Sequence, residues 1–322
     1  LTMDLSIYNK KTNDLIIDRP LDPSTGYTST QTNIGLIENK GAELDLSMNW
    51  FEIQDGLNWT SSFNWSTNDA IVIDLGEDTD RIVFAGFGTL GNAAIPGESL
   101  GSIIGSSITR LGGRIENSRW VDGGDYVVNN QGSYDETFDP TIIGDANPDW
   151  IANLSNTISY KNLSLNFLFN YQQGGDIFTY TVATLLGRGL TTDTLDRELS
   201  FVLPGVNSNG QPNTKMINNS TFYFSNVLYG PDEMLVYDAS HWRLGEVSLS
   251  YNLPKNLIES TPFGSISITA SGFNLAYNAW NTPEGTNFDP NIAGVGIGNG
   301  RGFDFINGPS ARRYGGSIKL TF

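Results

Sequence analysis

The chain has 322 residues with 36 Gly, 7 Trp, 13 Tyr and 17 Phe, yet only 16% are charged and the formal charge is −17. Its aromatic content excludes a disordered chain, and its shortage of Lys, Glu and Arg argues for an all-β protein with many turns over a helical one. The acidic balance excludes nucleic acid as partner, and the absence of Cys excludes disulfides, thiolate chemistry and Cys-based zinc sites.

No run of about 18 apolar residues occurs, so no helical membrane span is expected. Nor does a leader-like segment follow Leu1, and a longer protein with a preceding targeting segment and N-terminal domains is expected.

In chain order, a first strand covers Leu1 to Tyr8, followed by a long loop over about 10–32. From Ala42 to Trp50, Leu44, Leu46, Met48 and Trp50 alternate with Glu43, Asp45, Ser47 and Asn49, a period of two that sends them to opposite faces of a sheet. A turn at Gln54-Asp55-Gly56 leads into Leu57, Trp59, Phe63 and Trp65, which alternate with Asn58, Thr60, Ser62, Asn64 and Ser66. This is a hairpin. A second long loop is expected at about 73–148.

Ile158 and Tyr160 then pass through Lys161-Asn162 into Leu163, Leu165, Phe167, Phe169 and Tyr171, a second hairpin. After a third long loop at about 176–238 come strands at Trp242 to Leu253 and Ser265 to Phe273, a fourth long loop at about 281–308, and a last strand from Tyr314 to Phe322. That makes about eight antiparallel strands joined by alternating long and short links. Such alternation is expected of an outer-membrane barrel, with tight periplasmic turns at one rim and large extracellular loops at the other. Trp and Tyr lie near strand ends on the apolar face, and the other face is rich in Ser, Thr and Asn, which suits a wet lumen. A soluble β-sandwich or an adhesin module is the competing reading of the same strands.

Several stretches resemble the SusC-like (RagA-like) branch of TonB-dependent outer-membrane transporters of Bacteroidetes. Asn33-Ile34-Gly35-Leu36-Ile37-Glu38-Asn39-Lys40-Gly41-Ala42-Glu43 is similar to the family's "N-x-G-x-x-x-N-K-G-x-E" strand. Pro96 to Gly105 resembles its Gly-rich segment, and Ile142-Ile143-Gly144 with Pro148 its "IIG…P" pattern. Trp242 to Pro254 looks like the "R-L-x-E-x-x-L-S-Y-x-L-P" strand, and Gly272-Phe273-Asn274-Leu275 and Phe322 complete the set. One departure concerns the family's acidic loop before "IIG". Here Val128-Asn129-Asn130-Gln131-Gly132-Ser133 lacks the carboxylates of a calcium loop, so no calcium site is carried over.

The resemblance implies the C-terminal eight or so strands of a 22-stranded transmembrane β-barrel, with its plug outside this chain. It also implies import of glycan or peptide nutrients, driven by TonB through segments absent here and assisted by a SusD-like surface lipoprotein. The protein would then sit in the bacterial outer membrane with extracellular loops and a periplasmic C-terminus. Phe322 would be the terminal aromatic that barrel-assembly machinery recognises. The alternative function is a surface glycan-binding or adhesion β-module.

No catalytic residue, cofactor or metal is expected. Gly97-Glu98-Ser99-Leu100-Gly101 fits a nucleophile-elbow pattern, but no helical pattern follows it and the single histidine, His241, has no evident acid partner. Asp74, Glu77, Asp78 and Asp80 form the one weak candidate for a hard cation. The glycines from Gly294 to Gly302 lack the strand and helix of a phosphate loop. Ligand contacts are expected from the loop aromatics Trp120, Tyr126, Tyr134, Tyr180, Tyr223, Tyr229 and Trp280, because sugars and peptides stack on exposed rings.

Overall fold

The period-two segments pair as one antiparallel sheet of eight strands in which each strand hydrogen-bonds to its sequence neighbour in the sheet. This computed structural model describes all residues except 22, 23, 25, 28, 77, 78, 88 and 292–299. We label the strands β1 (Thr2–Pro20), β2 (Ser29–Glu52), β3 (Leu57–Asp74) and β4 (Trp150–Tyr160). They continue as β5 (Leu163–Gln173), β6 (His241–Asn252), β7 (Ser265–Asn278) and β8 (Arg313–Thr321). Among the described residues β1 and β8 each have a single neighbour, so the sheet is open.

Register turns the sequence alternation into two chemically distinct faces, because residues directly opposed in an antiparallel pair share a face. One row runs Leu57, Tyr160, Leu163, Tyr251, Ile268, Ile318 across six strands. Another, on the same face, runs Leu5, Leu44, Trp65, Ala152, Tyr171, Trp242. The intervening row on the opposite face reads Asn58, Ser159, Ser164, Ser250, Thr269, Ser317. Side chains on that face bond along the sheet: Asn170 donates to Asn153 Oδ1 at 2.6 Å and Thr157 to Asn166 Oδ1 at 2.7 Å.

The apolar face is not a core. Leu249 is 45% exposed, Ile268 46% and Ile318 67%, and none of the four core clusters among the described residues contains a member of these rows. Two polar groups interrupt the apolar face, and both are satisfied locally. Asn156 Oδ1 accepts from Trp59 Nε1 at 2.9 Å and from Ser61, whose hydroxyl in turn accepts from Trp50 Nε1 at 2.9 Å. The two tryptophans therefore close over an amide that an apolar surrounding would otherwise penalise.

The core lies instead in the long links after β3, β5 and β7, which leave the strands at the same end. The link after β3 forms its own four-stranded sheet from Ile82–Phe87, Leu90–Ala94, Ser102–Ile108 and Glu136–Asp145. The link after β5 contains a short strand Asp176–Thr179 and a helix α1 (Tyr180–Gly187). Phe178, Val182, Leu186 and Leu228 from that link pack with Ile103 from the preceding one and with Phe288 and Phe303 from the last. Asp304, fully buried, accepts from Thr179 Oγ1 at 2.7 Å and from Thr181 N at 3.1 Å, so a carboxylate from the last link sits at the start of α1. The links are thus a folded cap.

The expected loop at 10–32 is mostly ladder. β1 and β2 stay paired as far as Pro20↔Ser29, whereas β2 and β3 part beyond Leu36↔Asp74. The pairing skips Asp14 and Gly35, which face each other at φ 56° and 92°, without changing register, and the ribbon is polar at every position over Asn9 to Asn13 and Thr30 to Asn33, so no alternation marks it in the sequence. Lys11 and Lys40 both reach Glu38 on this ladder, at 3.5 and 3.0 Å.

Candidate functional site

The cap holds an open cavity of about 560 Å³ between the links that follow β3 and β5. Ile108 ends the inner strand of the cap sheet, Tyr126 and Tyr134 come from the stretch after it, and Phe201, Leu203 and Phe222 face them from the second link. Two edge-to-face ring pairs shape the walls, Tyr126 with Tyr134 at 5.8 Å and Phe201 with Phe222 at 5.7 Å. Tyr134 N donates to Asn226 Oδ1 at 2.8 Å, and Asn226 is fully buried, so the Tyr134 backbone is pinned.

The polar part of the lining is small: Asn219 and Glu233. Burial pushes the Glu233 carboxyl above the usual carboxylate range, against the opposing pull of the Ile108 backbone N–H and the Arg110 guanidinium. Burial also raises the Tyr134 phenol, helped by Tyr126 and by the Glu233 charge. Next to Glu233, Asp232 is held by a reciprocal pair with Ser106: Ser106 N donates to Asp232 Oδ2 and Asp232 N to Ser106 Oγ, each at 2.9 Å. Burial raises Asp232 and Glu136 as well, so the carboxyls of this wall of the cap all hold a proton more tightly than they would in water.

Of the seven expected contact aromatics, the structure brings Tyr126 and Tyr134 into this cavity, with Trp120 nearby through Arg110, whose guanidinium lies 5.5 Å from the Tyr126 ring and 6.0 Å from Trp120. Trp120 also donates to Ser107 Oγ at 2.8 Å. Tyr180 packs against the cap core, Tyr223 borders a separate cleft of about 70 Å³, and Tyr229 accepts from Arg188 at 2.8 Å on the cap surface. Trp280 lies 5.8 Å from Tyr171, which is stacked on Trp150 at 4.9 Å, so its ring joins the apolar outer face of the sheet. It also borders a second cavity of about 550 Å³ with Tyr277 and Phe288.

Phe222, Phe201, Leu203, Glu233 and Asn219 were not foreseen. They come from short segments brought together only by packing of the cap, with no local spacing to mark them. Arg243 is another such residue. It lies on the polar face of β6, bonds Asn274 Oδ1 at 2.8 Å, and forms a buried ion pair with Asp289 of the last link. Asp289 Oδ2 has no hydrogen-bond partner among the described residues.

The remaining motifs resolve simply. Ser99 lies in a turn that runs into a strand, not a helix, and accepts from Asn147 Nδ2 at 3.0 Å, while His241 Nδ1 is bonded to Ala239 O at 2.8 Å. Of the acidic quartet, Glu77 and Asp78 lie outside the described residues, as do positions 294–299 of the glycine run. Asp74 is exposed at the end of β3 and Asp80 is exposed in the cap. No cluster of three or more His, Asp or Glu suited to a metal occurs among the described residues. Phe322 is 88% exposed, with its ring 5.1 Å from Phe263 at the short-turn edge of the sheet.

No protein-family model matches the chain. It is 29% identical to TonB-dependent receptor P26 of Formosa agariphila over 99% of its own length and 32% of that receptor. It is 28% identical to TonB-dependent receptor P3 of the same organism over 85% of its length and 28% of the receptor. The chain spans about a third of the length of these curated relatives. Among solved structures, one described as the RagAB peptide transporter matches 99% of the chain and 33% of its own with a TM-score of 0.66 at 20% identity. The RagAB peptide importer in a closed-closed state matches with a TM-score of 0.65 at the same identity. Sequence and fold therefore agree: the chain is similar to part of a SusC-like TonB-dependent receptor, and its sheet and cap have the fold of a RagAB transporter chain.

Proposed function

We propose that the chain forms wall, extracellular cap and part of the substrate cavity of a TonB-dependent importer of glycan or peptide nutrients in the bacterial outer membrane. The observation that carries this reading is the two-faced sheet: continuous apolar rows lie uncovered on one side, and Ser, Thr and Asn rows on the other. Apolar area left in water costs about 25 cal/mol per Å², so such a face calls for a lipid or protein partner. Lipid fits it, since the polar face then lines water and the aromatic rows near Tyr160 and Tyr171 mark the two interfaces. Those rows stand eight residues apart along β4 and its neighbours, about 26 Å along the strand at 3.3 Å per residue and so about 20 Å of height at the tilt of about 35–45° usual for such strands, which fits inside an outer-membrane apolar band of about 25 Å.

On this reading further strands from the rest of a 22-stranded barrel pair with the free edges of β1 and β8, a plug fills the lumen, and TonB acts through segments outside this chain. The capped rim is extracellular and faces a SusD-like lipoprotein, and the short turns and Phe322 are periplasmic. This part of the chain acts as wall and binding surface, not as a catalyst. A surface adhesion module with the same strands would need to cover its apolar face. The intact protein purified from membranes therefore separates the two: a heat-modifiable gel shift with partitioning into detergent is expected, and solubility without detergent would refute the importer.

A further inference from the structure

Four arginines lie in the link after β3, and three of them donate to oxygen. Arg81 bonds Ser118 Oγ at 2.9 Å and Pro140 O at 3.3 Å, Arg114 pairs with Glu116 and Asp122, and Arg119 pairs with Glu98. Arg110 is the exception. Its guanidinium makes no hydrogen bond and no ion pair among the described residues, and its Nε is sealed from solvent without a partner. Glu233 is near enough to feel the Arg110 charge, yet no ion pair joins them.

What holds Arg110 instead is carbon. Its guanidinium lies 5.5 Å from the Tyr126 ring and 6.0 Å from the Trp120 ring, at the reach of a cation–π attraction, which leaves the planar N–H fork without an oxygen. The surroundings are shaped for this arrangement. A Cβ on Gly123 would stand 2.7 Å from Arg110 Cδ and one on Gly113 2.8 Å from Trp120 Cε3, so these glycines clear the space that the arginine stem and the indole fill. Trp120 Nε1 is tied to Ser107 Oγ at 2.8 Å, and Leu111 N donates to Asp125 O at 3.0 Å beside the Arg110–Tyr126 bridge. A guanidinium drawn out of water without an oxygen partner is costly, and a carboxylate on its fork forms the charge-assisted pair that it lacks. The formal charge of −17 does not forbid such a ligand, because at physiological salt charges are screened over about 8 Å and most of the chain's carboxylates lie out of reach.

We infer that Arg110, framed by Trp120 and Tyr126 beside the cap cavity, is a recognition site for a carboxylate carried by the incoming fragment. The inference rests on the importer reading and deepens it: the substrate class is acidic, with the carboxylate on a uronic-acid sugar or on a peptide.

Calorimetric titration of the full-length protein in detergent tests both carriers, with trigalacturonate against its trimethyl ester and triglutamate against triglutamine amide. At least one acid should bind at least about tenfold tighter than its neutral counterpart, and the pair that shows the difference names the carrier. Arg110→Gln should reduce that preference to within about twofold. Arg110→Lys keeps the stem and the charge but not the planar fork and should lose most of the preference, and it carries the test if Arg110→Gln fails to fold. Equal binding of acid and neutral counterpart in both pairs would overturn the inference, as would a preference retained in full by either variant. Failure here with the gel shift and detergent partitioning intact would remove the carboxylate site alone; loss of the latter two would remove the importer.

Discussion

The wall and the cap use the same apolar residues in opposite ways. In the cap, Phe178, Val182 and Phe303 turn inward and are all but sealed from solvent, as in any water-soluble core. In the wall, Leu163, Leu249 and Ile268 turn outward and the inward positions are Ser, Thr and Asn. A cap core is held by burial against neighbours from three links, so it depends on close packing. A wall of single rows depends on its ladder and on the medium against its outer face. The contrast teaches that one chain can follow two hydrophobic rules, with the boundary at the edge where the links leave the strands.

Mutations should separate the two regimes. The largest effect is expected from Phe178→Ala, which empties a fully enclosed position and should cost about 3–5 kcal/mol. Limited proteolysis should then cut within 176–238 while the wall keeps its heat-modifiable gel shift; joint collapse of both would show that cap and wall are one cooperative unit. Asp289→Ala, which strands the buried Arg243 guanidinium at the seam between them, should cost up to about 3–5 kcal/mol, read as loss of hydrogen-exchange protection in the last link and the top of β6.

Leu249→Arg, on the outward face, should destabilise the protein in bilayers by about 2–4 kcal/mol, whereas Ser250→Arg, one residue on and facing the other way, should cost little. Equal costs would erase the distinction between the faces. An effect of about 2–3 kcal/mol at most is expected from alkaline pH. Burial, with the charges of Tyr223 and Asp193, pushes the cap phenol Tyr237 up from 10.0 to about 12. Because its folded value is raised, the stabilisation is full below the unfolded value near 10 and falls away as pH climbs from there to about 12. Tyr237→Phe should flatten that decline in cap melting. The smallest effect, about 0.5–1.5 kcal/mol, is expected for Trp280→Ala, which removes one ring beside Tyr171.

The wall was legible in the sequence because a strand with one apolar and one polar face writes that difference into every second residue. Ala42–Trp50 shows this over its whole length and Leu163–Tyr171 with Leu168 as its one exception, and their pairing follows from the tight turns at Gln54-Asp55-Gly56 and Lys161-Asn162. Ser102–Ile108 gives no such signal, since all seven residues are buried on both faces. The β1–β2 extension was missed for a different reason: Asn9 to Asn13 on β1 and Thr30 to Asn33 on β2 are polar at every position, so no alternation marks this part of the ladder. The cavity was only half legible. Its tyrosines stand out as aromatics in Gly- and Asn-rich links, but their partners Phe222 and Glu233 sit about 90–100 residues further on, and nothing in a linear reading joins them.

The most direct test of the two-faced wall uses the absence of Cys in this chain to place one spin label at a time. Labels at Leu165→Cys, Asn166→Cys, Leu249→Cys and Ser250→Cys, in the protein reconstituted into bilayers, would be probed with lipid-soluble oxygen and a water-soluble nickel chelate. High oxygen access at 165 and 249 with high nickel access at 166 and 250 is the predicted result. Nickel access at all four positions, or oxygen and nickel both excluded from 165 and 249, would contradict it.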